Sequence, residues 1–539
     1  MLNKREATLH LLLIALSAII IPFLFLVLLN IPATKGMPLS ALLVGLAAYF
    51  IWGMSPQALF SSVLQGAHKT LTILWILFGA LVLLNTLQRT GAIKRINRGF
   101  TYISGDMRVQ TVIIAYLFGS LIEGAAGFGT PAMVTAPLMI AIGFPPAAAV
   151  TLALISDSTA VSFGAVGTPI SVGLSNIVTS NPDFFREIGQ TITILDLFAG
   201  SFLPVLLIYV LTRFFTNAQE KEKGVLRSML PWALVVGFSY TWSALAYAFF
   251  FGYEFVSILA SITALAVASI TAARGWLLPK KEWKGALRSD FKEDTEPQTM
   301  SLLAAWAPYI AVVILLLLTR IVPPIHHVAT TAFDLSWNNI LGIKEVHSEW
   351  KLLYSPGTIL TVSALLALIF QRTPAEAFIW GAKISLRSMK TTAIALVATL
   401  IMVQVFSNSG LTTKDLVSMP EYIAQAFSGS LGGIWLAAAP FLGELGSFIT
   451  GSGTVSNLTF SPIQFDVAMD AGLDPRLVLA LQVIGGSAGS MMCIHNVVAA
   501  SAVVGLAGKE GEIIRKTVAP AILYSVLAGL AAYLITLFF

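Results

Sequence analysis

Gly119-Ser120-Leu121-Ile122-Glu123-Gly124-Ala125-Ala126-Gly127-Phe128-Gly129-Thr130-Pro131 is the stretch that decides the fold of this 539-residue chain. It places an acid among glycines in the middle of a long apolar segment, residues 109–177. Backbone that leaves the helix at membrane depth survives only where protein or a water-lined cavity satisfies it. The stretch therefore reads as the tip of a re-entrant hairpin facing a site. Glycine accepts a positive φ at such a tip and lets a ligand approach the backbone. Pro131 suits the first turn of the returning half-helix, where no N–H is needed. Residues 431–507 have the same character, with a second tip at Thr450-Gly451-Ser452-Gly453-Thr454-Val455-Ser456-Asn457.

The rest of the composition agrees. Hydrophobic residues make up 56% of the chain and charged residues 11%, against about a quarter charged in a soluble domain. This implies an all-α polytopic membrane protein. The 32 basic and 27 acidic residues give a net charge of +5, but the basic ones lie in short clusters between apolar runs. That distribution argues against nucleic acid as a partner. A single cysteine, Cys493, excludes a disulfide framework or a cysteine metal cluster. Leu9–Asn30 is too long for a signal-peptide core of about 7–15 residues, and counts as a span. Further single spans are expected near 38–54, 70–88, 194–216, 229–250, 255–273, 302–320, 355–371, 391–408 and 518–539.

Orientation follows from the basic segments 89–108, 217–228, 274–300, 372–390 and 508–516, which belong on the cytoplasmic side. All five fall there together if 109–142 is a hairpin entering from inside and 146–177 is a broken crossing. The segment 431–469 is then a hairpin entering from outside, and 472–507 a second broken crossing. The expected total is 12 crossings plus two hairpins with both termini outside, which leaves Lys4, Arg5 and Lys69 external. Four segments result: N-terminal helices 1–108, a first transport repeat 109–216, scaffold helices 217–430 with an external loop 321–354, and a second repeat 431–539. The two repeats have opposite orientation, an arrangement found in secondary transporters with the site near the midplane. Short echoes support this. Gly119–Gly124 resembles Gly446–Gly451, and Gly143-Phe144-Pro145 resembles Gly472-Leu473-Asp474-Pro475.

Two half-helix N-termini converging at the tips offer free N–H groups and positive dipole ends to an anion. Gly127, Gly129, Thr130, Ser452, Thr454, Ser456, Asn457, Ser487 and His495 are the candidate substrate contacts. A charge at the bilayer centre costs about 2.5–3.5 kcal/mol even on a lenient scale, so acids at depth are functional candidates. Glu123, and Asp157 in the break Ser156-Asp157-Ser158, are the candidates for the coupling cation, H⁺ or a Na⁺ held at Asp157. Each has a plainer alternative. Glu123 could be a permanently protonated hairpin residue, Asp157 a helix cap, and His495 a packing residue. Glu444 reads as solvated near the outer surface. No catalytic or metal site and no cofactor is expected. Gly485-Gly486-Ser487-Ala488-Gly489 matches the nucleophile-elbow pattern, yet lies in a membrane crossing. No Walker A sequence occurs. A passive anion channel and a membrane hydrolase using Ser487 are the readings from other classes.

Leu121–Gly129 resembles the L-lactate permease family, which includes glycolate permeases. The resemblance continues at Ser162–Ile170, Ser407–Leu411, Pro440–Gly443, Thr450–Ser452, Ser456-Asn457 and Ala502–Glu510. It implies proton-coupled symport of a small monocarboxylate, L-lactate or a related 2-hydroxy acid such as glycolate, across the inner membrane. A Na⁺-coupled carboxylate transporter is the alternative. It also implies re-entrant hairpins and elevator-like movement. In two places the chain departs from the family pattern: Gly453 stands where Asp is frequent, and Ser490 where Lys is frequent. The partners on this reading are a small carboxylate, the lipid bilayer and, as one open assembly, a second copy in a homodimer.

Overall fold

The computed structural model describes residues 2–127, 129–175, 177, 183–217, 224–291, 300–431 and 434–538. Among them the regular structure is helical, with three isolated β-bridges and no strand. Eight helices are long and apolar enough to cross a bilayer: Ala33–Trp52, Pro56–Arg89, Met107–Ala126, Arg227–Phe251, Val256–Ala273, Leu302–Ile321, Pro475–Val503 and Glu510–Leu537. Four more candidates are pairs bent at short breaks: Leu9–Ala15 with Ser17–Leu28, Pro146–Ser156 with Val161–Ser171, Phe184–Phe198 with Gly200–Phe214, and Glu376–Lys390 with Thr392–Ser407.

With each bent pair counted as one span the candidates among the described residues reach twelve, but their members differ from the expected set. Met107–Ala126, expected as one arm of a hairpin, is long enough to cross by itself, whereas Pro356–Phe370 has only 15 residues. The expected span 70–88 is the second half of a 34-residue helix. That helix starts at Pro56, where Ser55 accepts from the Ala58 N–H and proline sits at the first position. Its first half is polar, which hides it from a hydropathy reading. The polar groups there are satisfied by the 321–354 loop. Gln57 donates to Leu341 O, Ser61 to Ile340 O and Gln65 to His347 O. His68 bonds Ser348 and Leu335 O between the rings of Trp337 and Trp350. The loop is thus a cap folded over the end of a scaffold helix. The same long helix packs along Glu376–Ser407, where a Cβ on Gly66 would lie 2.5 Å from the Ile401 Cα.

The basic segments meet at one end of the molecule. Arg89 stacks on Trp380, and Arg95 donates to Met300 O. Arg108 pairs with Asp106 and donates to Val225 O, while Lys516 lies over Phe215. The base of the first hairpin is at this end, since Met107 N–H bonds Trp283 O and Arg288 N–H bonds Gly143 O. The base of the second is elsewhere. Arg476, just beyond it, pairs with Glu187 at 3.3 Å, and Phe184 packs on Phe465. Glu187 opens the bent pair Phe184–Phe214, whose other end reaches Phe215 and the basic segments.

From residue 107 and from residue 435 the same order of elements follows. The first set is Met107–Ala126, a break, Thr130–Ala141, then the broken pair Pro146–Ser156 and Val161–Ser171, then Phe184–Phe214. The second is Trp435–Thr450, a break, Gly453–Asp470, then Pro475–Ser490, a break, Ile494–Val503, then Glu510–Phe538. Both broken helices begin at a proline three residues after a positive-φ glycine, at Gly143 and Gly472, so this echo matches the structure. The Gly119–Gly124 echo is out of register: Gly451 ends its arm, whereas Gly124 is still helical and the first arm ends at Gly127.

Candidate functional site

The first hairpin turns at Gly127 (φ +68°) and Gly129 (φ +69°), conformations that a side chain would strain. Phe128 lies outside the described residues. Thr130 Oγ1 donates to Gly127 O at 2.8 Å and ties the tip. The second hairpin turns at Gly451 (φ +72°), and Ser452 caps the returning helix by accepting from the Val455 N–H. Polar residues also break the crossing helices. Ser156 Oγ donates back to Leu152 O at 2.7 Å, and the helix ends at Asp157. Short polar side chains compete in this way with helical hydrogen bonds. Beyond it Ala165, Val166 and Gly167 run consecutively at positive φ, a strained conformation for a β-branched residue. This turn packs against the first tip, where a Cβ on Gly127 would lie 2.8 Å from the Ala165 Cβ.

The two tips and the two breaks enclose one small cavity of about 30 Å³, room for about two waters. Glu123, Gly127 and Gly129 line it from the first hairpin, and Gly451, Ser452, Gly453 and Thr454 from the second. Asp157, Gly164, Ala165 and Thr168 face it from the first broken helix, Ser490 and Asn496 from the second. The helices starting at Thr130, Gly453 and Ile494 bring their N-termini here, and those ending at Ala126, Ser156, Thr450 and Ser490 their C-termini.

Glu123 and Asp157 are 2% and 3% exposed, and their carboxyl groups face each other within reach of one shared hydrogen bond. Glu123 Oε2 and both Asp157 oxygens have no donor from the rest of the protein. Asp157 makes no cap: the helical turn beyond it has Ala160 at its N-cap position, without a side-chain bond. The capping alternative for Asp157 is thereby corrected. Glu444 is corrected too. It is 3% exposed and accepts from Ser525 Oγ at 2.6 Å instead of meeting solvent.

Several candidates lie behind the cavity wall. Ser456 Oγ donates to Gly443 O, Asn457 Nδ2 to Pro169 O, and Gln482 Nε2 bridges Ser456 Oγ and Asn457 Oδ1. These two residues join the second hairpin to both broken helices. Ser487 bonds Ser162 at 2.8 Å in mid-helix, which brings the two broken helices together. The glycines around Ser487 serve close packing, since a Cβ on Gly485 would lie 1.8 Å from Pro440 O. The His495 ring lies against Gly451, with Nδ1 where a Cβ would be 1.6 Å away, and so supports the tip from beneath. Ser158 Oγ is buried and unpaired beside Asp157.

Asn496, Ser490 and the turn 164–168 also line the cavity and are not among the contacts expected from the sequence, although Ser490 marks a departure from the family pattern. Asn496 is the third residue of the half-helix after the break, one position past His495, and that one step turns it about 100° around the helix. A polar residue in the first turn of a half-helix was the available signal.

The family model described as L-lactate permease matches residues 12–539. A relative from Haemophilus influenzae is 31% identical, covering 89% of this chain and 90% of its own length. The L-lactate permease of Bacillus subtilis is 27% identical over 94% of this chain and 93% of its own. Glycolate permease GlcA of Escherichia coli K12 is 27% identical over 97% and 95%.

Proposed function

This chain belongs to the L-lactate permease family, whose members are multi-pass inner-membrane permeases and not enzymes, and we propose that it takes up L-lactate or a related 2-hydroxy acid such as glycolate together with a proton. The observation that carries this reading is the cavity shared by both hairpin tips with a facing carboxyl pair on its wall. Three helix N-termini supply N–H groups for a carboxylate without a buried arginine, and the C-termini beside them favour a cation or proton close by. Two carboxylates facing each other at low dielectric do not both ionise, so the pair holds a proton. An incoming anion favours that protonated form, and a bound proton favours the anion, which loads both together. Unpaired Asp157 oxygens beside the unpaired Ser158 hydroxyl favour a second reading, a Na⁺ ion in place of the proton.

At about 30 Å³ the cavity is too small for a six-heavy-atom substrate, so the tips separate to admit it. The hairpin bases lie at opposite ends of the bent pair Phe184–Phe214, which supports an inverted repeat. The long packed helices Pro56–Arg89 and Glu376–Ser407 are the scaffold against which the hairpin-bearing units move. The test is a panel of lactate, glycolate, pyruvate and dicarboxylates in proteoliposomes, with pH and Na⁺ gradients imposed separately. Lactate or glycolate accumulates above equilibrium under a pH gradient alone. Accumulation that needs Na⁺ at fixed pH moves the reading to Na⁺, and uptake that never exceeds equilibrium makes the protein a passive channel.

A further inference from the structure

Asn496 stands out among the cavity residues. It is 3% exposed, its Oδ1 has no partner, and its Nδ2 makes a long contact of 3.4 Å to Ser490 O beside a bond to the Cys493 thiol. Its amide lies flat on the first hairpin tip, where a Cβ on Gly129 would come within 2.3 Å of Oδ1. Two neighbouring hydroxyls are already committed. Ser490 Oγ donates to Asp157 O and Ser487 O, and Thr130 Oγ1 donates to Gly127 O. A buried amide left in this state needs a partner that donates to its oxygen.

We propose that Asn496 recognises the 2-hydroxyl group of the substrate and makes the transporter selective for 2-hydroxy acids over simple monocarboxylates. This rests on the carboxylate reading above and adds to it the group that distinguishes lactate from propionate. A hydroxyl donates to the unpartnered Oδ1, and it can equally accept from Nδ2 if the amide is turned over. Propionate leaves the amide oxygen buried and unpaired. A site built to bond a hydroxyl rejects the analogue lacking it more strongly than a pocket rejects a missing methylene. Gly129 of the first tip lies directly over this amide, so a substrate hydroxyl reaches it once the tips separate.

The test measures uptake of labelled L-lactate and labelled propionate in proteoliposomes of the full-length protein and of Asn496→Ala. The wild type prefers lactate in kcat/KM by about 100-fold or more. In Asn496→Ala that ratio falls to within about threefold of one. Asn496→Ser, which keeps a small hydroxyl partner, retains an intermediate ratio and serves if the alanine variant does not fold. An unchanged ratio in a monodisperse variant overturns the proposal. So does a wild type that transports propionate as well as lactate, which leaves the carboxylate reading standing. A wild type that transports no monocarboxylate overturns both.

Discussion

Glu123 and Asp157 are the residues on which coupling depends, because each is buried with oxygens that no other side chain or backbone group satisfies. Glu123→Gln removes the shared proton while keeping the shape of the side chain. It is expected to abolish uphill accumulation while sparing exchange of labelled for unlabelled substrate; undiminished uphill uptake would remove Glu123 from the mechanism. His495 belongs to a different category. Its ring supports Gly451 and does not border the cavity, so His495→Ala is expected to lower thermal stability in detergent more than it raises KM. A rise in KM of tenfold or more without loss of stability would place the ring on the substrate. Sequence spacing cannot separate His495 from Asn496, since both lie in the first turn of one half-helix. Burial and the direction of the side chain decide between them.

At the scale of elements, both hairpins and both broken helices were legible, because Gly, Ser, Thr and acids interrupt apolar runs at those places. Three things were not. The polar half of Pro56–Arg89 satisfies its side chains with the 321–354 loop, a long-range pairing that local hydropathy does not carry. The register of the Gly119–Gly124 echo slips by three residues, nearly one helical turn, so the small-residue face looks alike in either alignment. The positive-φ turn at Ala165 and Val166 is held by tertiary contacts with Gly127 and Tyr253, against the preference of its own residues. The glycines of Gly485–Gly489 read as packing residues, and that is testable. Gly485→Ala drives a methyl into the Pro440 carbonyl and should cost about 1–3 kcal/mol or more. Gly45→Ala meets nothing within 4 Å and should be neutral or stabilising by up to about 1 kcal/mol. Thermal unfolding in detergent compares the two, and equal midpoints would contradict the packing role.

For the whole molecule, contacts among the five basic segments place them at one end, the cytoplasmic one under the positive-inside rule. Cys493 is buried and is therefore expected not to react with maleimide, which makes the wild type a clean background. Tyr102→Cys, exposed beside the basic end, should label only after the inner membrane is permeabilised. Val328→Cys, exposed in the loop cap, should label in intact spheroplasts. The opposite pattern inverts the molecule. The central claim, that one cavity between two hairpin tips binds a 2-hydroxycarboxylate and a proton together, is tested most directly by proton flux. Proteoliposomes are loaded with pyranine and diluted into Na⁺-free buffer, and L-lactate is added outside. The account predicts acidification of the lumen that tracks lactate uptake and is lost in Glu123→Gln. Lactate entering with no change in luminal pH, or only when Na⁺ is present, would contradict it.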